Sequence, residues 1–166
     1  MAEIKDINTG NHVGKACGSA ICPPDAPEDV RLSEHPTDEE IQNFFKDDTF
    51  AYVQAGCRIT ESWKGHGKAE MELDPCRHCN AQGYVMGGAV FTLADYAVAA
   101  ASVPGYRSSV SLMSTIEFVH ATRGNKLIAT CDADHSGNKV GFYTVNVVDD
   151  EDTLIARVLV SCYHPV

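Results

Sequence analysis

The run GGAVFTLADYAVAAASV, Gly87 to Val103, places a single ionisable group inside an otherwise apolar segment. Its Ala, Val, Phe and Leu residues cover every direction around a helix axis, and Asp95 stands in their midst. A carboxylate so placed can serve as a nucleophile or as a general base on water. The Gly87-Gly88 pair that opens the segment offers the complementary element. Its backbone N–H groups lack intrahelical partners, they lie at the positive end of the helix dipole, and no Cβ holds a ligand oxygen away. Upstream, the Asn80 side chain can hold a water or a carboxylate, or can simply stabilise its own turn.

The segment Cys76-Arg77-His78-Cys79 carries half of a zinc ligand set, and Cys17 and Cys22 could supply the rest. The second spacing is loose and lies in an irregular stretch, so no metal is expected. A redox CxxC would open a helix in a βαβ unit, and neither condition is met. His78 reads as a support for its loop rather than as a base. His120, His135 and His164 fall at strand ends and read as surface residues.

Residues 1–34 are polar and broken by Gly10, Gly14, Gly18 and Pro23-Pro24, which predicts an extended arm with little regular structure. The domain proper is expected over 35–166. Thr37 and Glu40 form a capping-box pattern before a helix whose apolar stripe is Ile41, Phe44 and Phe45. Two strands, Phe50–Trp63 and Lys68–Leu73, follow as a hairpin, then a loop over 74–86, the Ala-rich helix, and four long strands divided by turn signals. Short connections between strands predict a mostly antiparallel sheet in an α+β domain. A helix apolar all round needs more than one surface, so the sheet is expected to curve around it, with small Ala and Gly side chains permitting close approach. Asp95 is therefore expected to be buried.

Formal net charge is −10 over 166 residues, with no basic run, which argues against nucleic acid or an anionic membrane as partner. No apolar run reaches the roughly 20 residues of a membrane span. The first residues lack the apolar core of a signal peptide, and seven cysteines, an odd number, fit free thiols in a reducing compartment, so a cytoplasmic location is expected.

His78-x-Asn80, Gly83, Gly87-Gly88 and Leu93-Ala94-Asp95, followed by strands with a hairpin at Ser136-Gly137-Asn138-Lys139, resemble the hotdog-fold acyl-CoA thioesterases of the phenylacetyl-CoA thioesterase type. The resemblance covers residues 50–164. It departs from the family at Met86, where His commonly precedes the glycine pair.

What this resemblance implies is an antiparallel curved sheet wrapped around one long central helix, and metal-free hydrolysis of an acyl or aryl-acyl CoA thioester with no cofactor beyond the CoA of the substrate. It assigns the carbonyl-polarising N–H to Gly87, the carboxylate to Asp95, and the positioning of water to Asn80 and Ser111; Thr92 and Ser114 are weaker candidates. His78, Tyr84, Met86, Gly88 and Phe91 would line the acyl groove. Arg107, Arg123 and Lys126, with Lys139 beside them, would meet the CoA tail. Eight residues of helix rise about 12 Å, so Asp95 cannot act on a carbonyl held at its own Gly87. A second copy would bring its Asp95 there, which implies a homodimer with two shared sites, and related folds commonly pair two dimers into a tetramer. The alternatives are a hotdog hydratase or dehydratase, which would want a His paired with an acid, and a non-catalytic acyl-CoA-binding protein.

Overall fold

The computed structural model describes residues 2–5, 12–16, 31–106, 108–122 and 124–165. Within the stretch expected to be irregular, β1 (Ala2–Lys5) and β2 (His12–Ala16) pair antiparallel as a separate two-stranded sheet. The main body begins earlier than residue 35: Leu32 is buried in the core, and the Glu34 carbonyl accepts the Lys64 N–H at 2.8 Å.

Helix α1 (Asp38–Phe45) carries the expected capping box, with the Glu40 carboxylate accepting the Thr37 N–H at 2.7 Å and Thr37 Oγ1 accepting the Glu40 N–H at 3.3 Å. Ile41 and Phe45 are its buried face. The expected strand from Phe50 is only half a strand. Thr49–Gln54 instead forms a π-helical turn closed by the Ala55 N–H to the Phe50 carbonyl at 2.8 Å, and β3 spans Arg58–Trp63. Asp48 caps that turn by accepting the Ala51 N–H at 3.0 Å, a local signal that outweighs the strand-like alternation of FAYVQ. After β4 (His66–Glu72), the expected loop contains a four-residue helix, α2 (Pro75–His78), with Asp74 as N-cap and Pro at its start.

Helix α3 (Gly87–Ser102) then leads to β5 (Val110–Phe118), β6 (Lys126–Ser136), β7 (Val140–Asp149) and β8 (Leu154–Tyr163). The strands form one antiparallel six-stranded sheet in the order β3-β4-β6-β7-β8-β5, curved around α3 as expected for the α+β hotdog architecture. Inward residues alternate with outward ones: Leu127, Ala129 and Cys131 on β6, Tyr143, Val145 and Val147 on β7, and Val158, Val160 and Cys162 on β8 are all buried. His164 is a correction to the surface reading, being 1% exposed and stacked on Tyr106 with ring centroids 3.7 Å apart. Its place just beyond β8 continues the alternation of inward Val160 and Cys162, which outweighs its polarity.

The helix meets the sheet almost backbone to backbone. A Cβ built on Gly67 of β4 would lie 2.3 Å from the Ala97 carbonyl oxygen and 2.8 Å from the Ala100 Cβ. Close by, the buried Ser62 hydroxyl donates to the Ala100 carbonyl at 2.7 Å, and the Gly65 N–H donates to the Ala101 carbonyl at 2.9 Å. These bonds satisfy carbonyls at the C-terminal end of α3 that the helix cannot satisfy itself. Gly67→Ala is therefore expected to destabilise the protein by at least the roughly 1–3 kcal/mol of an overpacked core, read as a lower midpoint in urea unfolding with an unchanged slope.

Candidate active site

Because the sheet covers one side of α3, the other side is open. Gly88, Thr92, Asp95 and Ala99, spaced four, three and four residues apart, form the stripe that remains exposed or half-exposed. Asp95 is thus exposed in the single chain, contrary to the burial expected from the composition of its helix. Its outer edge meets solvent, while the walls of a cleft strip water from the rest. That cleft, about 280 Å³, is lined by Asp48, Phe50, Ala51, Phe91, Thr92, Tyr96 and Ala99 as well as Asp95. Crowding by these walls pushes the Asp95 carboxyl above its ordinary 3.8, and the Asp48 carboxylate pushes it further in the same direction. Among the described residues no hydrogen-bond donor reaches Asp95, so the donors expected around it are not supplied within one chain.

Ser111 lies near the same stretch of α3. It stands opposite Cys162 on the inward face of β5, its hydroxyl directed at the Cys162 thiol. Burial pushes that thiol up, and the charge of Asp95 contributes to the same rise. Thr92 donates its hydroxyl back to the Gly88 carbonyl at 2.8 Å and lines the cleft beside Asp95.

The N-terminal end of α3 assembles a second set. Met86 occupies the N-cap with no side-chain hydrogen bond to the helix, so the Gly87 and Gly88 N–H groups are left uncapped. Met86 N–H is itself held by the His78 carbonyl at 2.7 Å. His78 is 4% exposed and fully used: Nδ1 accepts the Asp74 N–H at 2.9 Å, and Nε2–H donates to the Ala55 carbonyl at 3.0 Å. It pins the loop before α3 to the π-helical turn, as the support reading expects. Asn80 Oδ1 accepts the N–H groups of Gln82 at 2.9 Å and Tyr84 at 3.2 Å, which fixes the turn and leaves its amide N–H₂ facing outward. Tyr84 is 58% exposed and closes that turn through its backbone.

Two larger cavities flank this helix start. One, about 580 Å³, is lined by Met86, Gly88, Ala89, Phe91, His78, Arg77 and the turn residues Phe50, Gln54 and Ala55. It adjoins the Asp95 cleft through Phe50, Phe91 and Thr92. The other, about 450 Å³, opens on the opposite side of α3 at Gly87, against Phe118, Val119, His120 and Ile155. A Cβ on Gly87 would meet the Phe118 ring at 2.8 Å, so this ring lies directly against the helix start.

One chain therefore gathers Gly87, Gly88, Met86, His78 and Asn80 at one end of α3, and Asp95 with Ser111 farther along. It does not bring the two sets together. Lys126 lies outside all three cavities and is paired with Glu70 at 3.0 Å and Glu72 at 2.9 Å, which raise its pKa. Arg107 and Arg123 lie outside the described residues. Cys76 and Cys79 are free thiols, Cys17 and Cys22 lie outside the described residues, and no group of three or more potential metal ligands converges among the described residues. Asp48, Phe50, Arg77 and His120 are cavity residues that the sequence reading passed over. For Asp48 a signal existed in its N-cap position; for His120 only the strand register reveals its place.

A six-stranded antiparallel sheet around one long helix, with cavities opening at the helix start and at a mid-helix carboxylate, defines a hotdog-fold protein. Residues 82–156 match the Thioesterase superfamily. The fold is similar to that of the E. coli PaaI protein from the phenylacetic acid degradation operon, with a TM-score of 0.70 at 23% identity over 76% of this chain and 91% of that one. It is also similar to a Streptococcus mutans UA159 protein solved bound to acetyl CoA, with a TM-score of 0.61 at 21% identity over 66% of this chain and 88% of that one. A curated protein of Archaeoglobus fulgidus, provisionally described as an esterase, is 29% identical over 127 residues, 76% of this chain and 82% of its own length.

The raised pKa of Asp95 has a stability consequence with a definite sign. Above the raised folded value the carboxylate is ionised in both folded and unfolded chains, and only the folded chain bears the desolvation and the repulsion from Asp48. Below the raised folded value the folded group is protonated first, and below 3.8 both states are neutral. Asp95→Asn is therefore expected to be more stable than wild type at neutral pH. The advantage should shrink as pH falls through that window, which thermal unfolding at a series of pH values checks.

Proposed function

We propose that the protein hydrolyses acyl-CoA thioesters at sites shared between two copies of the chain. The observation that carries this reading is the separation of the uncapped start of α3 from Asp95 by about 12 Å of helix, with both left open by the chain's own sheet. The exposed edge strand β5 supports the pairing. Among the described residues it bonds only to β8, and Leu112, Met113, Phe118 and Val119 on or beside it are 43%, 64%, 57% and 46% exposed. An apolar, single-sided edge of this kind is normally covered. Phe142, Leu159 and Tyr163 on the outward face of the sheet are also exposed and support further assembly into a tetramer. A cytoplasmic location is part of this reading, supported by the free thiols of Cys57, Cys76, Cys79, Cys131 and Cys162. No helix among the described residues is long and apolar enough to cross a membrane.

In the proposed reaction the thioester carbonyl sits at the Gly87 N–H of one subunit. The Asp95 carboxylate of the other either takes a proton from an attacking water or attacks the carbonyl carbon itself. Negative charge developing on the carbonyl oxygen is met by the helix-start N–H groups, and collapse of the tetrahedral species expels the CoA thiolate, leaving the free acid on the first route and, on the second, an Asp95 anhydride that water then hydrolyses. Asn80 and Ser111 would hold the water, and the apolar cavity beside Phe50, Met86 and Phe91 would take the acyl group.

Free-thiol release from phenylacetyl-, benzoyl-, butyryl- and octanoyl-CoA tests this. Wild type is expected to turn over at least one, and Asp95→Asn to lose at least about a hundredfold, roughly 2.7 kcal/mol of barrier, while remaining folded. Turnover that survives the substitution would remove Asp95 from the site. Sharing is tested with Gly87→Pro, which deletes the N–H at a first helical position whose backbone suits proline, after an already extended Met86 (φ −70°, ψ 135°), and whose new Cβ requires the exposed Phe118 ring to shift. Each variant alone should be inactive. Refolded together in equal amounts, they should recover about a quarter of wild-type activity, because half of the dimers are mixed and each holds one intact site.

A further inference from the structure

The cavity on the β5 side of α3 has an apolar body and few free polar groups. Val90, Phe118 and Ile155 form its walls. Thr122 is committed: its hydroxyl donates to Asp149 at 2.8 Å and accepts the Gly124 N–H at 2.9 Å. Gly87, at the uncapped helix start, and His120 also line the space. His120 is exposed but rigidly mounted. It continues the β5–β8 pairing, its N–H and that of Val119 both directed at the Ile155 carbonyl at 3.3 and 2.8 Å. Its ring Nδ1 lies 2.9 Å from the Leu154 carbonyl oxygen. A carbonyl only accepts, so Nδ1 carries the hydrogen, and in the neutral imidazole Nε2 then presents a lone pair. Two of the residues lining the cavity thus carry complementary groups, an uncapped backbone N–H at Gly87 and a side-chain acceptor of fixed tautomer at His120.

An acyl-CoA bound with its thioester carbonyl at Gly87 has one donor close to the reacting carbon. This is the amide N–H of the pantetheine arm, two methylenes beyond the sulfur. Phosphates and carbonyls are acceptors and do not match a lone pair. We propose that His120 is a substrate-contacting residue that accepts the hydrogen bond of this first pantetheine amide, and so registers the thioester against the helix start. The inference rests on the thioesterase reading for its substrate, and it adds a residue that selects the arm of the leaving group rather than the acyl group.

The test compares two thioesters of whichever acyl group wild type hydrolyses best. One is built on N-acetylcysteamine, which retains the amide; the other is built on a simple alkanethiol of equal length, which does not. His120→Ala is expected to lower kcat/KM on the amide thioester about three- to tenfold, chiefly through KM, as befits one neutral hydrogen bond. It should leave the amide-free thioester unchanged, and His120→Gln, which keeps an acceptor, should recover part of the loss. Equal loss on both thioesters would overturn the proposal in favour of a role at the reacting atoms, and no loss on either would overturn it outright. Should wild type hydrolyse neither thioester, the thioesterase reading fails separately, and calorimetric binding of pantetheine decides the point. Weaker binding to His120→Ala than to wild type supports the contact, and equal binding overturns it.

Discussion

The contact on which the rest of the structure depends is the close seating of α3 on β4. Gly67 lets the helix backbone approach until a single methyl would strike the Ala97 carbonyl, and Ala94, Ala97, Ala100 and Ala101 keep that face of the helix flat. At this distance dispersion and desolvation are gained from backbone as much as from side chains. The curvature of the sheet then leaves the opposite face of α3 bare. A thicker interface, with leucines in place of alanines, would lift the helix and carry Gly87 and Asp95 away from the strands that frame them. Packing and chemistry therefore share a constraint: the same small residues that seat the helix decide where its two open features lie.

Those two features sit at opposite ends of an electrostatic contrast. The helix start presents uncapped N–H groups and partial positive charge, while Asp95 presents a carboxylate whose ionisation is opposed by the cleft walls and by Asp48. Neither is relieved inside the chain. In the proposed dimer each would face the other's substrate, so that the strain of one subunit is answered by the architecture of the next. The π-helical turn at Thr49–Gln54 belongs to this arrangement, because it hangs from Asp48 and brings Phe50 to the groove that Phe91 also lines. His78 ties that turn to the loop before α3 through the Ala55 carbonyl, so the groove and the helix start are fixed to one another.

Much of this was legible in the sequence, and the reasons differ from residue to residue. The Thr37–Glu40 capping box is a local chemical pattern and appears as read. The four C-terminal strands show clean alternation because one face is dry. The limits of α3 were marked by Gly87 and by the Pro104-Gly105 pair. The π-helical turn was not legible, because alternating FAYVQ looks like a strand until the Asp48 cap is counted as competing with it. His164 was misread because burial is decided by strand register, which a polar residue near the chain's end does not announce. Asp95 was expected inside since its neighbours are apolar. Composition tells how much surface must be covered but not whether the covering comes from the same chain. His120 was invisible as anything but a strand-end residue, since its meaning lies in what Leu154 does to its tautomer.

The two main helices of this protein begin in opposite ways. Helix α1 closes its own first turn with Thr37 and Glu40 and asks nothing of its surroundings. Helix α3 begins at Met86, a side chain that caps nothing, and so carries an unmet demand for an anionic oxygen. A serine or aspartate at that position would meet it permanently, and by the usual measure would make a better helix. It would also fill, with the protein's own atom, the place that a ligand's oxygen is free to take. Sequence optimisation that rewards thermal stability alone would therefore favour replacing Met86, whose poor fit leaves the helix start uncapped. In the proposed function a badly capped helix is the form that an open binding position takes.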